Sequence, residues 1–162
     1  MDGAMLLPEF DQEMANTRKM LERVPDEKLQ FKPHDKSFSL LELASHVGNL
    51  PTWTKATLTT TELDLDQPWE RTPPTNRAEV LAEFEKAAAE ARAVLEAVSA
   101  EELQVDWTLR SGDQVWFTMP RAAVFRSFVM SHLIHHRAQL GVYLRLLDVP
   151  VPGMYGPSAD DA

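Results

Sequence analysis

The residues best equipped to do chemistry in this chain are its histidines. There are five, and three fall together in Ser131-His132-Leu133-Ile134-His135-His136-Arg137. If that stretch is helical, His132 and His136 stand one turn apart and are rotated by only about 40°. Both rings can then reach one ion, at about 2.0–2.1 Å from each nitrogen if it is zinc. On a regular helical wheel Phe125, Val129, His132, His136, Gln139 and Tyr143 share one side, and this side is expected to turn inward. His135 falls toward the flank, although three-residue spacing also allows a pairing of His132 with His135. Two imidazoles hold a metal weakly. His46 is the third candidate, in line with Leu43, Leu50 and Trp53 on an apolar face. Three histidines leave a coordination position open to water or substrate, which is the pattern of a catalytic rather than a structural site. A lone histidine on an apolar face is more often a core residue satisfied by one hydrogen bond. The clustering argues otherwise, because paired imidazoles are costly to bury unless they are bonded or metallated.

The chain has no cysteine. Thiolate ligands, disulfides and a cysteine nucleophile are therefore all excluded, and any metal must be held by nitrogen or oxygen. Glu-x-x-His pairs of the di-iron carboxylate bundles are missing, as is the His-Glu-x-x-His motif of zinc proteases. A haem bundle would need only two axial histidines and leaves the cluster unexplained.

Four helical stretches must position these rings. The first runs from about Leu6 to Val24, with Leu7, Phe10, Met14, Thr17, Leu21 and Val24 at three- and four-residue spacing. Breakers at Pro25 and in Lys32-Pro33-His34-Asp35 follow it. Ser39 and Glu42 make a capping box that starts the second helix. Closing that box is the simpler role for Glu42, although it could also orient His46 or act as a base. Pro51 should bend or end the second helix. Asp64 to Thr75, with Gln67-Pro68-Trp69 and Thr72-Pro73-Pro74, reads as a crossing loop. Asn76 and Glu79 open a third helix, with Val80, Phe84, Ala87, Ala91, Val94 and Val98 on one stripe. Glu101 to Thr118 is a short hairpin or an irregular loop around Ser111-Gly112-Asp113. The fourth helix is expected from near Thr118, with Pro120 in its first turn, to about Leu147. Trp53 and Tyr143 are expected to pack in the core rather than line a pocket. Arg137 is expected at the surface or a partner interface, with Gln139 nearer the inward face. The tail Val149-Pro150-Val151-Pro152-Gly153 is expected to be extended. The expected fold is all-α, a four-helix bundle over residues 1–162 as one domain.

The chain has 162 residues, a formal charge of −9 and 44% hydrophobic residues. A chain of this length can bury a sizeable core without a covalent staple. The acidic balance, with no block of Lys and Arg, argues against nucleic acid as a partner. The N-terminus does not read as a signal peptide and no segment reads as a membrane span, so a cytoplasmic protein is expected. Met130, Leu133, Ile134 and Leu144, placed opposite or beside the histidines on the wheel, predict an apolar strip at a homodimer interface.

His132 to Leu140, His-Leu-Ile-His-His-Arg-Ala-Gln-Leu, resembles the fourth-helix motif of the DinB/YfiT-like family, with Ala138 where glycine is common. Leu43-Ala44-Ser45-His46-Val47 is similar to the segment that carries that family's first histidine. The tail from Val149 to Ser158 resembles that of one subgroup. The resemblance implies a four-helix bundle with a crossover loop and an extended C-terminal tail. It further implies a divalent metal, zinc or nickel, held by His46, His132 and His136, often in a homodimer. Characterised relatives in that family include thiol-dependent transferases and isomerases. A metal-dependent transferase or hydrolase acting through a small thiol or water is therefore the expected function. A non-enzymatic stress-related metal-binding or interaction protein is the alternative.

Overall fold

Two capping motifs and one proline set the helical framework. The computed structural model describes residues 2–68 and 70–161, so Trp69 of the expected crossing loop lies outside the described residues. A 3-10 turn, Gly3–Leu6, leads into α1 (Leu7–Leu21). The Ser39 side chain accepts from the Glu42 amide while Glu42 accepts from the Ser39 amide at 2.6 Å, closing the box at the start of α2 (Leu40–Asn49). Pro51 cannot donate a backbone hydrogen bond. The helix accordingly stops there and restarts as α3 (Thr52–Thr59). Asn76 accepts from the Glu79 amide at 2.9 Å and caps α4 (Arg77–Ala97). The last helical rod begins as α5 (Arg121–Val124), continues through a π-helical stretch, Phe125–Ser131, and ends as α6 (His132–Leu146).

The bundle has α4 packed against α1, α2 and α3, and α6 packed against α1 and α2. Its core includes Phe10, Leu21, Leu43, Leu50, Leu95, Phe125 and Leu140, each at most 1% exposed. Each such burial is worth roughly 1.5–3 kcal/mol. Residues 149–161 cross the surface without helix or strand.

The all-α expectation needs correction. A small three-stranded sheet is present, in the order β1 (Glu62–Asp64), β2 (Asp106–Ser111), β3 (Gln114–Pro120). β1 runs parallel to β2, with Leu63 opposite Leu109, and β2 pairs antiparallel with β3. The hairpin turn is Gly112-Asp113, and Gly112 at φ +55° supplies the positive φ that a tight two-residue connection requires. Since β3 runs to Pro120, the last helix starts at Arg121 rather than near Thr118. Of the two readings of Glu101 to Thr118, the hairpin is the one present, while the three-residue β1 is too short to show alternation. The sheet holds because Trp107, wholly buried, packs with Leu109 and Val124 and donates its indole N–H to Thr60 Oγ1 at 3.0 Å.

The π-helical stretch accounts for a second correction. A π turn takes one more residue than an α turn. Here Val124 and Val129, and Phe125 and Met130, are buried five residues apart, and Ser131 Oγ donates to the Arg126 carbonyl five residues back. The buried residues beyond that point are Leu133, Arg137, Leu140 and Leu144, with Tyr143 at the edge of the stripe. The regular wheel places it one residue earlier, at His132, His136, Gln139 and Tyr143. Of the expected strip, Met130, Leu133 and Leu144 are thus core residues and Ile134 is half-buried, so no exposed strip is presented to a partner. Arg137, expected at the surface, is 2% exposed. It pairs with Glu13 at 2.6 Å, and Tyr155 from the tail joins both. A regular wheel puts Arg137 outside, and the extra residue of the π turn brings it in.

Candidate metal centre

Moved off the central stripe by the π turn, His132 and His136 lie half-buried on the flank of α6 that faces α2. His46, fixed near the end of α2, meets them there. Its ring centroid is 5.1 Å from that of His132 and 4.5 Å from that of His136, with 4.7 Å between the latter two. One nitrogen from each ring lies within 4.8 Å of the others. The Nε2 atoms of His46 and His132 are 3.3 Å apart. A tetrahedral ion with bonds of 2.0–2.1 Å would set two ligand nitrogens about 3.3 Å apart. The donor set therefore fits a divalent ion. His135 is exposed, stacks only against the outer side of His136, and is not in the cluster.

The surroundings favour uncharged rings. Burial first, then the proximity of His136 and His132 and the charge of Arg71, push the His46 pKa down to about 4. Burial also lowers His132, with His136 adding to it and the Phe128 carbonyl opposing. That carbonyl lies outside hydrogen-bonding geometry, and His132 Nδ1 is buried with no partner. Burial lowers His136 too, partly countered by Gln139. Neutral imidazole is the form that binds metal. Gln139 Oε1 sits 2.7 Å from His136 Nδ1. As an acceptor it holds the proton on Nδ1, which leaves the Nε2 lone pair for a ligand bond. Gln139 itself is exposed, so its bond is to the site rather than to the bundle interior.

Aromatic rings close the site on two sides. Phe128 lies 5.7 Å from His132 and is braced by Trp53 and by Phe117 of β3. Phe38 lies 5.9 Å from His46. Trp53 and Tyr143 both pack against the core and both also wall a cavity, Trp53 beside Leu63 and Arg71 and Tyr143 beside His136. The latter cavity, of about 430 Å³, opens beside His136 between the loop Lys36-Ser37-Phe38 and the α6 residues Gln139 and Tyr143. Glu42 keeps to its capping box, and its pKa is held low by the Ser39 amide and hydroxyl.

The helical rods, the half-buried histidine triad and the extended tail are the parts that the sequence comparison also covers. The profile of the DinB family matches residues 2–162. The chain belongs to the DinB family. A DinB-like protein from Bacillus cereus ATCC 10987 superposes with a TM-score of 0.70 at 22% identity, covering 93% of this chain and 95% of its own. A DinB-like protein of Bacillus subtilis, YjoA, gives 0.69 at 19% identity, over 90% and 95%. At such identities the likeness is one of fold. No curated protein matches the chain. As a DinB-family fold, it brings together all three ring positions singled out from spacing. Phe38, Phe128, Lys36 and the orienting part played by Gln139 were not singled out. Each depends on a contact between distant segments or on the π turn, neither of which leaves a periodic signal.

Proposed function

We propose that this DinB-family protein binds one divalent metal, zinc or nickel, through His46, His132 and His136, and is a metal-dependent transferase or hydrolase. The observation that carries the reading is the convergence of three imidazoles, one of which, His136, lines a cavity. When bound, the ion would supply Lewis acidity, lowering the pKa of a water or small thiol at its open position.

The chain's own groups prepare that position. Neutral imidazoles leave the ion its full positive charge, and Gln139 fixes which nitrogen of His136 faces inward. Phe128 covers the His132 side with apolar surface, and the half-exposed Phe38 borders the His46 side. The cavity's volume lies in the usual range for small-molecule sites. The chain has no cysteine, so a thiol nucleophile would come from the ligand. A homodimer, as implied by the family resemblance, belongs to the proposal, although Met130, Leu133 and Leu144 of the expected contact are core and Ile134 is half-buried.

The reading is tested by loading the protein with zinc or nickel and assaying thiol transfer to electrophiles alongside ester and amide hydrolysis. Turnover that is lost in His46→Ala and on chelation is expected. Absence of turnover across both panels in metal-replete protein would leave a metal-binding protein without this chemistry.

A further inference from the structure

His46 is the one member of the triad that α6 does not carry, so the centre closes only if α2 is held at the right rotation. A ligating set has to be fixed to within about 0.5 Å. Yet His46 stands in the last turn of α2, shortly before Pro51. A helix's last turn leaves its carbonyls without partners inside the helix. Pro51 adds to this, because it brings no amide to the Val47 carbonyl four residues before it. The turn is held from outside instead. At Gly48, a side-chain carbon would lie 3.3 Å from the Val80 carbonyl oxygen, so α2 and α4 come close there. One turn earlier, Arg71 of the crossing loop reaches the buried Ser45, the residue next to His46. Its Nη2 donates to Ser45 Oγ at 2.7 Å and to the Ser45 carbonyl at 3.1 Å. The same guanidinium is fixed on α4 by Glu83, Nε to Oε1 at 2.6 Å and Nη2 to Oε2 at 2.7 Å. A fork-to-carboxylate pair of this kind defines orientation as well as distance. The two side chains are only 24% and 25% exposed.

We propose that Arg71 is a positioning residue for the metal centre: by holding Ser45 against Glu83, it sets the rotation of α2 that carries the His46 ring to His132 and His136. The inference rests on the metal reading above. A guanidinium beside the site has a second possible effect, and that effect has the opposite sign. Arg71 is near enough for its charge to be felt at His46. As a charge alone it repels a divalent cation, so its removal would tighten metal binding. As a tether, its removal weakens binding. Lysine separates the two further, because it keeps the charge but lacks the planar fork that spans Ser45 and Glu83.

The test measures zinc affinity of the full-length protein by chelator competition. The unfolding midpoint of the metal-free protein and the visible spectrum of the cobalt-substituted protein are recorded on the same samples. Arg71→Gln and Arg71→Lys should each weaken zinc binding roughly tenfold or more, the range for groups that orient ligands from outside the coordination sphere. Both should also change the cobalt spectrum, as His46 leaves the ion. Ser45→Ala removes only the hydroxyl acceptor; it should weaken zinc binding by less, and should add nothing once Arg71 is already glutamine. A lowered unfolding midpoint with zinc affinity and cobalt spectrum unchanged would make Arg71 a structural tether only and overturn the inference. Tighter zinc binding in Arg71→Gln, with Arg71→Lys like the parent, would make it a charge effect and overturn the inference as well. If Arg71→Gln does not fold, Ser45→Ala decides, and an unchanged zinc affinity there overturns the inference. A parent protein that takes up no zinc would overturn the metal reading itself, and this inference with it.

Discussion

His46 shows how a single residue's surroundings set the conditions for binding. Its pKa of about 4 lies below the ordinary 6.5, chiefly through burial, so its proton is bound more readily by the unfolded chain than by the folded one. This costs nothing above pH 6.5, where both states are neutral. The metal-free protein should therefore lose stability as pH falls from about 6.5 toward 4, and the loss should level off below that. Denaturant midpoints measured across this range should fall less in His46→Gln, and an equal fall would contradict the account. Gln139 acts through a second ring. Gln139→Leu removes the acceptor on His136 Nδ1, and metal affinity should drop about tenfold or more. Its exposed position predicts little change in thermal unfolding of the metal-free protein. The triad itself was legible because four-residue spacing and an apolar face are local patterns. Lys36 and Phe38 were not, because nothing in a loop's sequence says which helix it will lie against.

At the scale of elements, the π-helical stretch is the decisive departure from regularity. One extra residue between Val124 and Ser131 turns Leu133 and Arg137 into the core and leaves His132 and His136 on a flank that both touches α2 and borders a cavity. A wheel drawn at 3.6 residues per turn has no means of seeing it, since the residues that enforce it are the buried partners on other elements. The capping boxes and the break at Pro51 were legible for the opposite reason, because their physics is contained within four residues. The buried Arg137 pair joins three elements: Glu13 on α1, Arg137 on α6 and Tyr155 in the tail. Glu13→Ala leaves a buried guanidinium without its counter-charge and should cost about 3–5 kcal/mol in urea unfolding. The double variant Glu13→Leu/Arg137→Met removes both charges and should be less damaging than Glu13→Ala alone. If the double variant is the worse of the two, the pair stabilises through more than charge neutralisation. Tyr155→Phe removes the hydroxyl that accepts from Arg137 and donates to Glu13, and a loss of about 1.5–3 kcal/mol is expected, the range for hydrogen bonding to charged groups.

At the scale of the whole molecule, the family is settled by a match over residues 2–162, and the DinB-like fold by two solved relatives. No helix among the described residues is long and apolar enough to cross a membrane. The bundle was readable because long amphipathic helices repeat their signal many times. The β2–β3 hairpin was one of two readings open around Ser111-Gly112-Asp113, but β1 was not legible, because it is only three residues long and its partner lies more than forty residues away. The sheet nonetheless bears on the site, since Phe117 braces Phe128, which packs on His132. Binding at a site made by both α2 and α6 should also stabilise the whole fold. Zinc at a hundred times its dissociation constant should add about 2.7 kcal/mol, and chelation should remove it. An unchanged unfolding midpoint with bound zinc would mean that the site is not formed only in the native state.

The most direct test of the central claim is elemental analysis of purified, reconstituted protein beside three variants, His46→Ala, His132→Ala/His136→Ala and His135→Ala. The account predicts about one metal per chain in the parent protein and in His135→Ala, and none in the other two. Metal retained in His46→Ala, metal lost in His135→Ala, or no metal in the parent protein after reconstitution would contradict the three-histidine centre.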